Sequence, residues 1–371
     1  MEVDRSIDAA SANAASTVRG PTPDGVVTTG RVRVAPLMAL VPLLRERGVD
    51  PTEVLAAFGY DVAFFGEPEN TLPFDVAARL LERCAKLTHC DQFGLLVGQR
   101  GGLSVLGPVG FLMQSSADVR AALQSLGRYL HIHDRGAVVG LTDRGGFAAL
   151  KYTIMQAGVE GRAQVLDVAI AIGFNLMRAL CGSGWLPSEV HFAHRAPADP
   201  SPFRRFFGVT VRFDADQSAL VFPSRWLERP ITSADPLLHR MMEQRIQQLQ
   251  ALSAEDLAGQ LRRLLMAWVT EPHLSAERVA AQVGITPRTL NRRLAVEGTS
   301  FAQMRDETRR QFACDLLRDT QIPAAEVASL LCYADSAAFS RAFRRWTGES
   351  PAAWRAAARG KQRRVVPRQR R

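Results

Sequence analysis

The sequence lacks most of what an exported, membrane-bound or metal-dependent protein would carry. Its five cysteines (Cys84, Cys90, Cys181, Cys314, Cys332) are scattered, odd in number and without Cys-x-x-Cys spacing. They predict neither a disulfide framework nor a zinc site, and they fit a reducing cytoplasm. Met1–Arg19 has no apolar core of the signal-peptide kind. The most apolar segment, Val165–Leu186, is interrupted by Asp167, Asn175 and Arg178. Its central run, Val168–Phe174, falls far short of the roughly 20 residues that cross a bilayer. A cytoplasmic protein with no membrane partner is expected. Glycines crowd Gly98–Gly110, but no Lys-Ser/Thr follows the last of them, which excludes a phosphate-cradling loop. Gly182-Ser183-Gly184 lacks the Gly-x-Ser-x-Gly spacing of a nucleophile elbow and reads as a helix end. His131-Ile132-His133 would place two imidazoles on one side of a strand, yet no Cys or carboxylate cluster at ligand spacing accompanies them. No metal, no cofactor and no catalytic constellation is predicted, so the chain is not expected to be an enzyme.

What is present is a lopsided charge. Ser275–Arg371 holds 19 Lys and Arg against 9 Asp and Glu, whereas the preceding residues hold 27 against 28. The whole excess of +9 therefore sits in the C-terminal quarter. A near-neutral domain joined to a strongly basic one points to a polyanion partner for the latter.

Along the chain, residues 1–30 are rich in Ala, Ser, Thr, Gly and Pro and read as a disordered leader. Residues 31–230 alternate helical patterns (Leu37–Arg47, Pro51–Phe58, Phe74–Leu87, Asp118–Tyr129, Arg162–Leu180) with β-like runs. The runs are Ala137–Leu141, Phe147–Ile154, Glu189–Ala193, Val209–Phe213 and Ala219–Phe222, the first two joined by a glycine-bearing hairpin signal. The fold class is an α+β N-terminal domain followed by an all-α C-terminal domain. Residues 231–253 suit a helical linker, 254–358 the basic domain, and 359–371 a basic disordered tail with seven basic residues and no acid. That tail would attract phosphate without regard to sequence, or else be a solvated end.

Within the basic domain, Leu274–Trp354 reads as two helix-turn-helix units. Ala276–Val283 is a short helical pattern broken by Gly284, and a second pattern starts at Thr286-Pro287, an N-cap followed by a proline at the first helical position. Leu290 and Leu294 face the core, leaving Arg288, Asn291, Arg292 and Ala295 outward at helical spacing. In the second unit Pro323–Leu331 is followed by a helix capped by Asp335. Phe339, Phe343 and Trp346 form its buried stripe, and Ser336, Ala337, Ser340, Arg341 and Arg344 lie outward. Arg pairs bidentately with guanine and Asn with adenine, so both faces suit major-groove reading. The second, built from smaller side chains, depends on Arg341. Ser300-Phe301-Ala302-Gln303 is a capping box opening a helix to about Asp319. Its stripe of Phe301, Met304, Thr308, Phe312 and Leu316 is predicted to hold the two units together. Twenty helical residues span about 30 Å, close to one DNA turn of about 34 Å.

These segments resemble the DNA-binding domain of the AraC/XylS family of bacterial transcription regulators. The resemblance rests on Leu274-Ser275-Ala276-Glu277-Arg278-Val279-Ala280, Thr286-Pro287-Arg288-Thr289-Leu290-Asn291-Arg292 and, most specifically, Ala338-Phe339-Ser340-Arg341-Ala342-Phe343-Arg344-Arg345-Trp346-Thr347-Gly348, closed by Ser350-Pro351 and Trp354. Cys332 departs from the pattern, standing where the family usually has glycine before the aromatic Tyr333. Glycine there permits a left-handed turn, so a strained or differently shaped second turn is expected. Gly107-Pro108-Val109-Gly110-Phe111, His191-Phe192-Ala193-His194, Phe206-Phe207-Gly208-Val209 and Phe222-Pro223 resemble the arabinose-binding-type domain of one subgroup. Their order of elements does not read as a β-rich jelly roll. The resemblance implies a regulator, more often an activator, that binds double-stranded promoter DNA and senses a small-molecule effector. It also implies an RNA polymerase contact and a homodimer formed through the first domain or Leu237–Leu252. Tyr129, His131 and His133 are the candidates for the effector's polar contacts. Two competing readings are a DNA-repair enzyme carrying this module, which needs a reactive cysteine, and a sequence-blind architectural binder.

Overall fold

The structure is a computed structural model describing residues 30–252, 257–272 and 274–365. The expected leader lies outside the described residues apart from Gly30. The chain begins with β1 (Arg31–Arg33), then α1 (Leu40–Glu46) and α2 (Pro51–Ala56), before β2 (Thr71–Pro73) pairs antiparallel with β1. Asp50 starts α2 by accepting from the Thr52 amide at 2.9 Å, with Pro51 at the first helical position. α3 (Phe74–Leu87) has the predicted bounds.

The glycine-rich stretch, to which the sequence patterns assign no element, contains helices. It is built around α4 (Phe93–Gln99) and α5 (Pro108–Gln114). Its glycines serve close packing: a Cβ on Gly98 would lie 2.5 Å from the Val168 carbonyl oxygen, and one on Gly94 would lie 2.3 Å from that of Gln164. α6 (Val119–Tyr129) follows, capped by Asp118, whose carboxylate accepts from the Ala121 amide at 2.8 Å. A 3-10 turn over Leu130–Ile132 then carries His131 where a strand was considered.

β3 (Ala137–Arg144) and β4 (Phe147–Ile154) form the predicted hairpin, closed by Gly145 (φ 61°) and Gly146 (φ 82°). Positive φ at both central residues is what a type I′ turn needs. α7 (Arg162–Cys181) is the central core helix. It is long and apolar enough to cross a membrane by composition, but 67% of that window is buried inside the protein. β5 (Glu189–His191), α8 (Ser201–Phe207), β6 (Thr210–Arg212) and β7 (Ser218–Pro223) complete a five-stranded sheet of order β3-β4-β7-β5-β6, parallel only between β5 and β6. α8 was not foreseen. It inserts Phe203 and Phe207 into an aromatic cluster with Phe174, Phe192 and Phe213.

The expected linker is α9 (Pro236–Leu252), which packs on α5 and buries Ile246 completely. The C-terminal domain comprises α10 (Leu257–Ala267), α11 (Ala276–Gln282), α12 (Pro287–Val296), α13 (Phe301–Asp319), α14 (Ala324–Leu330), α15 (Ser336–Thr347) and α16 (Pro351–Val365). α13 works as the predicted brace. Phe301 and Met304 pack with Leu261, Leu265, Leu290 and Leu294 of the first unit, while Phe312, Leu316 and Leu317 pack with Phe339 and Phe343 of the second. The expected tail boundary at Arg359 falls inside α16, whose backbone stays helical to Val365; residues 366–371 are outside the described residues.

Candidate nucleic-acid interface

In the first unit Ser275 caps α11 and the chain reverses at Gly284 (φ 71°). Thr286 caps α12, its hydroxyl accepting from the Thr289 amide at 3.2 Å. Leu290 and Leu294 are fully buried, which turns Arg288, Asn291, Arg292 and Ala295 to solvent. Val296 is 86% exposed. It stands four residues beyond Arg292 and eight beyond Arg288, on the same outward face. Its apolar character hid it from the sequence reading; its spacing was the available signal.

In the second unit Asp335 caps α15 through the Ala338 amide at 2.6 Å. Phe339 and Phe343 are fully buried and Trp346 is half-buried. Ser336, Ala337, Arg341 and Arg344 are exposed and Ser340 is half-buried. Arg345 lies 3.2 Å from Asp306 of α13 and so braces the unit. Cys332 has φ 59°, matching Gly284 in the first unit. The turn keeps the left-handed shape, and a side chain bears the steric cost that glycine avoids.

The three effector candidates do not form one site. Tyr129 donates from its hydroxyl to Glu243 of α9 at 3.2 Å. His131 lies 2.9 Å from the Gln250 amide nitrogen. Both border a cleft of about 1110 Å³ between the N-terminal domain, α9 and the first helix-turn-helix unit. Burial, with the charge of Arg263, pushes the His131 imidazole down to about 4, so it accepts from Gln250 as a neutral ring. His133 instead lines an apolar pocket within the N-terminal domain. Burial there, with Arg33 beside it, pushes its imidazole down to about 3. A 3-10 turn separates residues that a strand would have set on one side.

His191 and His194 have structural partners. His191 lies 2.8 Å from Glu189, and buried His194 is held between the Arg195 carbonyl at 2.9 Å and Asp167 at 3.0 Å. Of the cysteines, four are buried, and burial pushes the thiols of Cys84 to about 12 and of Cys181 and Cys314 to about 11. Such thiols make poor alkyl acceptors, since the thiolate is the nucleophile.

Contacts between the domains gather at α13. Arg162, at the start of α7, lies 3.2 Å from both Asp315 and Asp319, in charge contacts whose angles fall outside hydrogen-bond geometry. Arg318 also pairs with both carboxylates. Gln311 donates to the Met155 carbonyl, and the Gln321 amide donates to Asp214 at 3.0 Å. Across the sheet, Arg144 of β3 pairs with Glu271 after α10.

A model of the arabinose-binding domain of AraC transcription regulator matches residues 48–231, and a helix-turn-helix domain model matches residues 279–357. The ornithine utilization regulator of Pseudomonas aeruginosa is 31% identical over 335 residues, covering 89% of this chain and 98% of that protein. The chain belongs to the AraC/XylS family of transcription regulators. The HTH-type transcriptional regulator VirS of Mycobacterium tuberculosis is 28% identical over 331 residues, covering 88% of this chain and 96% of that protein. The crystal structure of transcriptional regulator CdpR from Pseudomonas aeruginosa aligns over 86% of this chain and 96% of that one, at 22% identity and a TM-score of 0.42. As an AraC/XylS regulator the protein is a DNA-binding regulator with an N-terminal effector domain. Its relatives are regulators, which leaves the repair-enzyme reading without support.

Proposed function

We propose that the protein reads a promoter sequence through α12 and α15 and acts there chiefly as an activator. The observation that carries this is a repeated asymmetry: each helix is anchored by two fully buried residues four apart and turns a polar, basic face outward. In the first unit Arg288, Asn291 and Arg292 supply base contacts, and exposed Val296 suits a thymine methyl. In the second, Arg341 is the main reader, supported by Ser336 and Ser340, with Arg344 on phosphate. α13, at 19 residues, holds the two helices at a spacing suited to successive major grooves. Activation needs an RNA polymerase contact, and a homodimer through the N-terminal domain or α9 would double the site; both are parts of this reading.

Arg292→Ala should cost roughly 1–3 kcal/mol on an operator selected from genomic fragments and relax base preference at one position. Arg341→Ala should do the same at a second, distant position. Binding isotherms on the operator and on point-substituted operators measure both. An unchanged isotherm for Arg292→Ala would remove α12 from base reading. Equal affinity for operator and random DNA would favour a sequence-blind architectural binder. Transcription from an operator-bearing template with purified polymerase tests the sign: repression would overturn the activator assignment.

A further inference from the structure

We propose that the apolar pocket of the N-terminal domain binds a small uncharged molecule with an apolar body and a single hydrogen-bond acceptor, and does not bind a sugar. The inference rests on this domain being the sensing part of the regulator. The cavity measures about 100 Å³ and lies at the seam between the domain's two hydrophobic clusters. Phe74 and Leu81 of α3 wall it on one side, Leu126 of α6 and Leu176 of α7 on another, and Leu150 and Leu220 of the sheet close it. Polar side chains reach it at one end, from His133, Asp134 and Tyr152. Lys151 also borders it, but strand alternation turns its side chain to the opposite face from Tyr152, where the charge of Glu271 acts on it.

Hydrogen-bond bookkeeping at that end leaves one donor. The Asp134 carboxyl accepts from the Tyr152 hydroxyl at 2.6 Å and from the Gly136 amide at 2.7 Å. The Tyr152 proton is thereby committed. His133, only 4% exposed, has Arg33 Nη1 3.5 Å from its Nδ1. A guanidinium only donates, so Nδ1 carries the lone pair and Nε2 carries the proton. That Nε2 has no hydrogen-bond partner among the described residues. A ligand with one acceptor satisfies it. A pentose would bring several hydroxyls into walls that offer them nothing, and unpaired buried polar groups are costly. Burial holds the Asp134 carboxyl up at about 6, so a carboxylate ligand beside it is disfavoured too. A cavity of about 150 Å³ takes benzene, which bounds this smaller one to a body no larger than a single small ring.

The position of the cavity also supplies a route outward. Tyr152 and Leu150 form its sheet wall, and the same β3–β4 hairpin carries contacts to the C-terminal domain. A Cβ on Gly140 would lie 3.5 Å from the Ala267 carbonyl oxygen of α10, and Arg144 pairs with Glu271. Filling the void presses on the hairpin that seats the DNA-binding domain.

The test uses the full chain and titrates cyclopentanone, cyclopentane, cyclopentylamine and L-arabinose, following heat of binding and the thermal midpoint. Cyclopentanone should bind saturably at one site, cyclopentane about three- to tenfold more weakly for want of one hydrogen bond, and arabinose not at all. Ala169→Leu, which fills the cavity from α7, should abolish cyclopentanone binding. If that variant does not fold, His133→Leu gives an independent check, because cyclopentanone should lose its advantage over cyclopentane. Binding of arabinose without cyclopentanone overturns the proposal. So does undiminished cyclopentanone binding to a folded Ala169→Leu variant. Tighter binding of the amine than the ketone assigns the polar contact to Asp134 and overturns the acceptor requirement. Operator binding is measured in parallel on the unliganded protein, so that failure of the DNA-reading assignment is seen separately from failure of the cavity assignment.

Discussion

Cys332 shows what a single residue can cost a fold that otherwise tolerates it. Its φ of 59° is the conformation that Gly284 adopts at the matching turn. A side chain there costs about 1–2 kcal/mol, partly offset because glycine loses more conformational freedom on folding. Cys332→Gly should therefore stabilise the protein by about 0.5–1 kcal/mol, seen as a higher denaturant midpoint with unchanged operator affinity. A fall in stability would mean that the Cys332 contact with the Thr270 carbonyl, 3.9 Å from its sulfur, outweighs backbone strain. At this scale the outward faces of α12 and α15 were legible, because buried residues four apart fix which way every neighbour points. Val296 was not legible, since an apolar residue in a helical pattern is read as core.

Elements that begin with a cap could be drawn from the sequence to within a residue or two. α12 opens on Thr286, α13 on Ser300 and α15 on Asp335, and each side chain accepts from an amide three residues on. α4 and α5 escaped because their glycines imitate a loop. Their purpose appears only when α7 is in place, for no periodicity announces that two helices need to touch backbone to backbone. Gly98→Ala measures the point. Helix propensity alone favours the alanine by up to about 1 kcal/mol. The added carbon would meet the Val168 carbonyl oxygen at 2.5 Å and the Ala171 Cβ at 2.7 Å, and overpacking of this kind costs about 1–3 kcal/mol. A net loss of stability in thermal unfolding is expected; a gain would show that α4 can slide away from α7 cheaply.

For the molecule as a whole, the charge asymmetry was visible in composition, whereas the way the two domains meet was not. Arg162 is far along the chain from Asp315, Arg318 and Asp319, and each looks like an ordinary surface charge by itself. Together they bury Asp315 to 3% exposure between two guanidiniums. Burial pushes that carboxyl upward and the two arginines draw it back. Removing one partner of a buried pair costs about 3–5 kcal/mol, and less here because Arg318 remains. Arg162→Met should loosen the docking of α13 on the N-terminal domain without unfolding either domain. Hydrogen exchange should rise across residues 311–319 and stay level across 290–296. Equal protection in both segments would show that the remaining contacts hold the domains by themselves.

The distribution of thiols has a practical consequence. Four of the five are buried, three of them with their pKa pushed up to between about 11 and about 12, while Cys332 stands exposed in the turn before α15. A maleimide dye added to the native, unmodified chain should attach there and nowhere else. The protein thus carries its own labelling position beside α15. Fluorescence from that one dye would time the arrival of the second unit on an operator separately from the first.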